Sequence, residues 1–262
     1  MSADEFVQTP YGPVPRSEVV EVNENETVKV VDGHLKRCEA GTGRVVEDLG
    51  AVSEEALAAD PYVYAAGLRG RRAVPRKGGD AAQKSNGHFA ADWSQANIQS
   101  FVTTWKVPAK PNGQDGGNVF FLWNGLAGGA LQPVLDWRNG SDVSYGIANW
   151  AYVGKYIHGG HLTGIDPGTP LTGVIDFLRK DSSGYTYKVG FEGYPQVDLT
   201  VVRSTEATGV CLCFEPYGGA RPPDPEVKFT DIVLSNRSTT IDWSGMQPVD
   251  NSSAHGEVDC VI

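Results

Sequence analysis

Three polar side chains interrupt strand-like apolar runs: Gln132 and Asp136 in LQPVLDW, and Glu215 in VCLCFE. Side chains alternate between faces along a strand. Gln132, Val134 and Asp136 therefore share one face of their strand, and Cys211, Cys213 and Glu215 share one face of theirs. In VFFLW, Val119, Phe121 and Trp123 do the same. A Glu can take and return a proton, and a Gln amide can donate to a developing oxyanion. A sheet that sets these faces side by side makes Gln132 and Glu215 a workable acid–base pair, with Trp123, Asp136 and Cys213 lining it. The competing reading puts the polar residues on a wet outer face, because a buried polar group needs a hydrogen-bond partner.

Other chemistries find less support. His158 and His161 stand three apart in YIHGGHL, but Gly159-Gly160 between them reads as a turn, so no metal site is expected. The chain has no Gly-x-Ser-x-Gly nucleophile elbow. Its GLAGGA stretch lacks the lysine and following helix of a phosphate-cradling loop.

The elements that must position these residues are strands. Gly at 32 and Pro at 16 residues, with abundant Trp and Tyr, favour many turns and short aromatic-rich runs. Strand-like segments cover Ile98–Val107, Val119–Trp123, Leu131–Trp137, Ser144–Val153, Leu171–Leu178, Tyr185–Phe191, Val197–Val202, Val210–Glu215, Val227–Leu234 and Glu257–Ile262. That spacing predicts an all-β sandwich or barrel. Residues 1–90 differ: they hold no tryptophan and most of the acidic clusters. They read as a small N-terminal extension before a β domain of residues 91–262. Within it, Val28–Val31 and His34–Arg37 flank an Asp-Gly pair that predicts a type I′ hairpin. Ser53 before Glu54-Glu55 predicts the start of a short helix. Arg69–Lys77 reads as a basic linker or processing segment.

The net charge is −10 and the isoelectric point about 4.9. A nucleic-acid partner is not expected, since phosphate binding needs a basic face. No apolar run has membrane-spanning length, so no membrane partner is expected either. The first residues lack the apolar centre of a signal peptide, which predicts a cytoplasmic protein. Four glycosylation triplets, at Asn25, Asn139, Asn236 and Asn251, point to secretion if the chain is a trimmed form. Cys38, Cys211, Cys213 and Cys260 lack zinc-site spacing and read as buried thiols, with a Cys38–Cys260 or Cys38–Cys211 bridge as the alternative.

The segments FVTTWKVP, VFFLWNGLAGGALQPVLDW, GVCLCFEPYG and VKFTDIVL resemble the core of the glutamic peptidases, or eqolisins. The resemblance lies in Trp123-Asn124-Gly125, in Leu131-Gln132 followed by Asp136-Trp137, and in the apolar triplet before Glu215. It implies a concanavalin-like antiparallel β-sandwich. It also implies a cofactor-independent hydrolase with Gln132 and Glu215 as its catalytic pair, Trp123 lining the cleft, and a peptide substrate. Glu215 would take a proton from water, Gln132 would steady the oxyanion, and Glu215 would then protonate the leaving amine. Residues 1–90 would be a propeptide covering the cleft. The opening TPYGPVPRSEVVEV, ALQPVLDW and the closing HGEVDCVI are similar to a wider fungal and bacterial group with a Thr-Pro-Tyr-Gly start.

The chain departs from the peptidase pattern at two places. Ala127 stands where the family has Asp, and Asn149-Trp150 where it has a Glu, so Asn149 and Trp150 become substrate-binding candidates. These departures keep a second class open, a small-molecule lyase, cyclase or isomerase with Glu215 as acid or base. A carbohydrate-binding module is a third. A peptidase predicts a long open groove; a small-molecule enzyme predicts a closed apolar pocket.

Overall fold

Period-two alternation governs most of the chain, and a computed structural model describes residues 5–61, 88–93, 96–111, 119–138, 144–217, 222–223, 226–237, 247–248 and 257–261. In order the first strands are β1 (Phe6–Thr9), β2 (Gly12–Pro15), β3 (Val19–Glu21), β4 (Glu26–Val31), β5 (His34–Glu39), β6 (Val45–Ala51), β7 (His88–Trp93), β8 (Ile98–Lys106), β9 (Val119–Leu126) and β10 (Leu131–Arg138). Then follow β11 (Ser144–Tyr152), β12 (Tyr156–Ile165), β13 (Pro170–Asp181), β14 (Gly184–Phe191), β15 (Leu199–Arg203), β16 (Val210–Tyr217), β17 (Glu226–Asn236), β18 (Gln247–Pro248) and β19 (Glu257–Val261). A single-turn helix, α1 (Glu54–Ala58), follows β6 and is capped by Ser53, whose hydroxyl accepts from the Ala56 amide.

The strands form a β-sandwich of two large sheets. An eight-stranded sheet runs β18-β7-β16-β9-β10-β11-β12-β3, and a nine-stranded sheet runs β19-β17-β8-β13-β14-β15-β4-β5-β6. Residues before position 60 contribute to both: β3 adds in parallel to β12, and β4 adds in parallel to β15. The β4–β5 turn is the predicted one, with Asp32 at φ 52° and Gly33 at φ 74°, as a type I′ turn requires. β1 and β2 form a separate two-stranded ribbon.

One core lies between the sheets and contains Phe101, Trp105, Phe120, Leu122, Leu135, Tyr145, Tyr187, Phe214 and Phe229. Full burial of such side chains is worth about 1.5–3 kcal/mol each. A second apolar cluster lies on the other face of the eight-stranded sheet and contains Phe121, Trp123, Val134, Trp150, Tyr152, Tyr156, Cys211 and Cys213. Every residue of β9 and β16 is therefore buried. Strands covered on both faces read as continuous apolar runs rather than as alternation, which is why VFFLW and VCLCF carry so few polar positions.

One expectation is corrected. YIHGGHL is not a turn but part of β12. Its glycines admit a neighbouring backbone: a Cβ on Gly160 would lie 2.6 Å from the Gln196 carbonyl oxygen, and one on Gly159 3.2 Å from that of Val197. Glycine inside a strand marks such an approach. Cys38 forms neither of the alternative bridges: Cys38, Cys211 and Cys213 are buried thiols outside any disulfide, as their leading reading expects. The basic segment Arg69–Lys77 and the triplets at Asn139 and Asn251 lie outside the described residues.

Candidate active site

β9 lies between β16 and β10, and its ladders bring the predicted residues onto one face. Trp123 stands opposite Cys213 on one side and Val134 on the other. Glu215 stands opposite Phe121, two residues along β9 in one direction. With Leu131 opposite Leu126, Gln132 falls beside Gly125, two residues the other way. Trp123 thus sits between Glu215 and Gln132, diagonal to both. Its indole N–H donates to Glu215 Oε2 at 2.9 Å. Gln132, Asp136 and Glu215 are all at most 2% exposed, so the wet-face reading fails.

The Trp-x-Gly spacing has a steric cause. A Cβ on Gly125 would lie 2.8 Å from the six-membered ring of Trp123 and 3.1 Å from the Gly129 Cα. Only glycine leaves room for the indole to lie back along β9 while its N–H reaches Glu215. Gly125→Ala should push the indole off Glu215 and reproduce the activity loss of Trp123→Phe. Losing one hydrogen bond to a charged group corresponds to about 1.5–3 kcal/mol, roughly a ten- to hundredfold effect. Parallel turnover measurements on the two variants check this, and an unaffected Gly125→Ala would refute it.

Asp136 shares Glu215's row but lies beyond Phe121. Two strand spacings place their backbones roughly 10 Å apart, so they are not a proton-sharing pair. Asp136 instead faces His161, Nε2 to Oδ2 at 3.2 Å, and Arg138, Nε to Oδ1 at 3.4 Å. The His161 contact crosses over β11 at Gly146, where a Cβ would lie 2.4 Å from His161 Nε2 and 3.1 Å from Asp136 Oδ1. Burial works against the Asp136 charge, but the hydrogen bond from His161 and the Arg138 and His161 charges outweigh it and hold the carboxyl below its ordinary range. Next to this cluster His158 packs on Trp150, ring centroids 4.3 Å apart, and bonds Glu21 through Nδ1.

A depressed carboxyl pKa gives stability that is present above the unfolded value, about 3.9 for Asp, and lost as pH falls through the folded value. Asp136→Asn should therefore destabilise the fold by about 1–3 kcal/mol at neutral pH. The gap to the parent chain should close as pH drops below about 4. Urea unfolding at pH 7 and pH 3 measures it, and a pH-independent gap would count against the pairing.

Trp150 joins the face, buried beside His158, and its indole N–H has no hydrogen-bond partner among the described residues. Cys213 joins it as Trp123's cross-strand neighbour. Asn149 does not. It precedes Trp150 on β11, so it points between the sheets, where its amide donates to the Val197 carbonyl. Ala127 lies at the β9–β10 turn with φ 54°, and its amide bonds the Gly209 carbonyl.

The face is covered. Tyr11, from the turn of the β1–β2 ribbon, is 1% exposed, with its ring 5.1 Å from that of Tyr156 and 6.4 Å from that of Trp150. Tyr217 donates its hydroxyl to the Pro10 carbonyl at 3.4 Å. Tyr152 and Tyr156 donate to the carbonyls of Ala56 and Pro61. An open pocket of about 810 Å³ lies elsewhere, between β8, β13 and β17, and contains none of these residues. Tyr11, Gly146 and His161 were not singled out from sequence as members of the site. Only the Thr-Pro-Tyr-Gly motif signalled that the first of them mattered.

No protein-family model matches the chain, and no curated protein matches its sequence. Among solved structures it is similar to scytalido-glutamic peptidase with a transition-state analogue inhibitor, at 16% identity over 68% of this chain and 99% of that chain, TM-score 0.49. It is similar to SCP-B, an eqolisin-family peptidase in complex with the tripeptide Ala-Ile-His, at 17% identity over 68% and 98%, TM-score 0.49. A carbohydrate-binding module from Bacillus subtilis gives 13% identity over 51% and 91%, TM-score 0.28. Likeness at such identity and TM-score assigns no residue its role.

Proposed function

We propose that this chain is a glutamic-peptidase-like hydrolase with Gln132 and Glu215 as its catalytic pair. The observation that carries the reading is the Trp123–Glu215 hydrogen bond on a face that also holds Gln132. A carboxylate buried on this face, positioned by the Trp123 indole N–H, is placed to exchange a proton with a water. Glu215 takes that proton as the water attacks the peptide carbonyl, and the Gln132 amide donates to the oxyanion. Glu215 then protonates the leaving nitrogen. Asp136, paired with His161 and Arg138, supplies structure and binding surface rather than the proton.

The N-terminal residues act as a propeptide in this closed form, and acid favours their release. Glu21 of β3 pairs with His158 of β12, and Glu18 pairs with Lys155 just before those strands, so protonating the two carboxylates removes two ties at this edge. The test is cleavage of a denatured protein between about pH 2 and 7, after acid treatment and analysis for loss of the N-terminal segment. Acid-dependent cleavage supports the proposal. A folded, processed chain without cleavage at any pH overturns it. A second reading, a small-molecule enzyme with Glu215 as acid or base, draws on the enclosure of the face by the chain's own ribbon. It predicts turnover with residues 1–61 still in place.

A further inference from the structure

The Thr-Pro-Tyr-Gly motif builds a device that presents one aromatic ring. Thr9 Oγ1 donates to the Gly12 carbonyl at 2.7 Å and accepts from the Tyr11 amide at 3.1 Å. Pro10 pre-sets its own φ, and Gly12 takes φ 99°, which a side chain would resist. Both polar groups of the turn tip are thus satisfied within the motif, and Tyr11 enters the buried cluster on the outer face of the eight-stranded sheet.

The seat is shaped for an aromatic ring. Trp150 meets Tyr11 edge-on at 78° and Tyr156 meets it at a tilt of 44°. Such edge and tilted contacts are the favoured aromatic geometries. Tyr152 and Cys211 lie in the same cluster. Glu215 is near enough that its charge, after burial, is the largest influence holding the phenol protonated. Trp150, which the ring meets, stands opposite Gln132, so the ring occupies space on the same face as the candidate pair.

The ribbon that carries the ring is separable. Among the described residues β1 and β2 pair with each other and with no strand of either large sheet, and the Tyr217 hydroxyl ties the Pro10 carbonyl of their turn to β16. The next strand, β3, is tied to β12. A lone two-stranded hairpin is marginally stable by itself, so the burial of Tyr11 and Val14, with the Tyr217 hydrogen bond, keeps it down. Were it to lift from the residues after Pro15, it would uncover an apolar patch that water solvates poorly.

We infer that Tyr11 is the resident occupant of a recognition pocket for an aromatic side chain, and that the substrates of this site are peptides presenting Tyr or Phe over Trp150 and Tyr156. The inference rests on the peptidase reading for the cleavage that follows, not for the binding itself.

The test uses the full chain carrying Tyr11→Ala, with N-acetyl-tyrosinamide and N-acetyl-leucinamide as probes, read by tryptophan fluorescence and by melting temperature. Tyr11→Ala should melt below the parent. N-acetyl-tyrosinamide should restore part of the loss and bind about tenfold tighter than N-acetyl-leucinamide, as edge and tilted ring contacts predict. The parent chain, its pocket filled, should bind neither. Equal binding of the two probes, or binding of neither by folded Tyr11→Ala, overturns the inference. Where Tyr11→Ala does not fold alone, its folding on addition of N-acetyl-tyrosinamide but not of N-acetyl-leucinamide carries the same measurement. Failure to fold with either probe makes Tyr11 a core residue and also overturns it. Selective binding without peptide cleavage leaves the pocket standing and sinks the peptidase. Cleavage indifferent to aromatic residues does the reverse.

Discussion

Glu215→Gln is expected to give a folded protein whose acid-dependent peptide cleavage falls by about 10²–10⁴-fold, the range that one general acid–base group contributes. The substitution is nearly isosteric. The Gln carbonyl oxygen can still accept the Trp123 indole N–H that Glu215 accepts now, so the unfolding midpoint should change little. What is lost is the ability to hold a proton between water and the leaving nitrogen. The two readouts separate chemistry from structure: kcat/KM on a denatured protein, and the urea midpoint. A mutant that keeps cleavage would remove Glu215 from the mechanism. A mutant that loses cleavage only because it unfolds would make Glu215 structural.

Gln132 offers a sharper test, because its proposed role is donation alone. Gln132→Ala should lower kcat by about 10²–10³-fold, the usual effect of deleting one oxyanion donor. Gln132→Glu should behave differently across pH. A protonated carboxyl donates an O–H to the oxyanion, whereas an ionised one repels it. An unperturbed Glu titrates near 4.3, and burial favours its neutral form. Gln132→Glu should therefore keep part of its activity at low pH and lose it as the new carboxyl ionises, while Gln132→Ala stays low throughout. A pH–rate profile of the two variants decides it. Parallel profiles would mean that position 132 acts through packing rather than donation.

Local chemistry settled much of this molecule at the level of sequence. The Asp32-Gly33 turn and the Ser53 cap follow from one or two residues each, and both form as their side chains require. Period-two alternation placed Gln132 with Asp136, and Cys213 with Glu215, because strand geometry allows no other arrangement. The same parity already separated Asn149 from Trp150, so both could not line one face.

The tertiary structure decided what covers each face and which strands are neighbours. Gln132 and Glu215 sit on opposite sides of β9 only because β16 and β10 both pair with it, and no local pattern encodes that order. The polar residues are buried because this face is covered, in part by Tyr11, more than a hundred residues away in the chain. His161 reaches Asp136 because Gly146 leaves a gap on the strand between them, a contact between second neighbours that alternation cannot express. The Gly159-Gly160 pair misled for the same reason. Glycine marks either a turn or a close backbone approach, and only the backbone around Gln196 and Val197 tells which. Alternation along a strand records which side chains share a face, whereas pairing between strands and the segment lying over a face are non-local, and those made a face with a Glu and a Gln into a candidate active site.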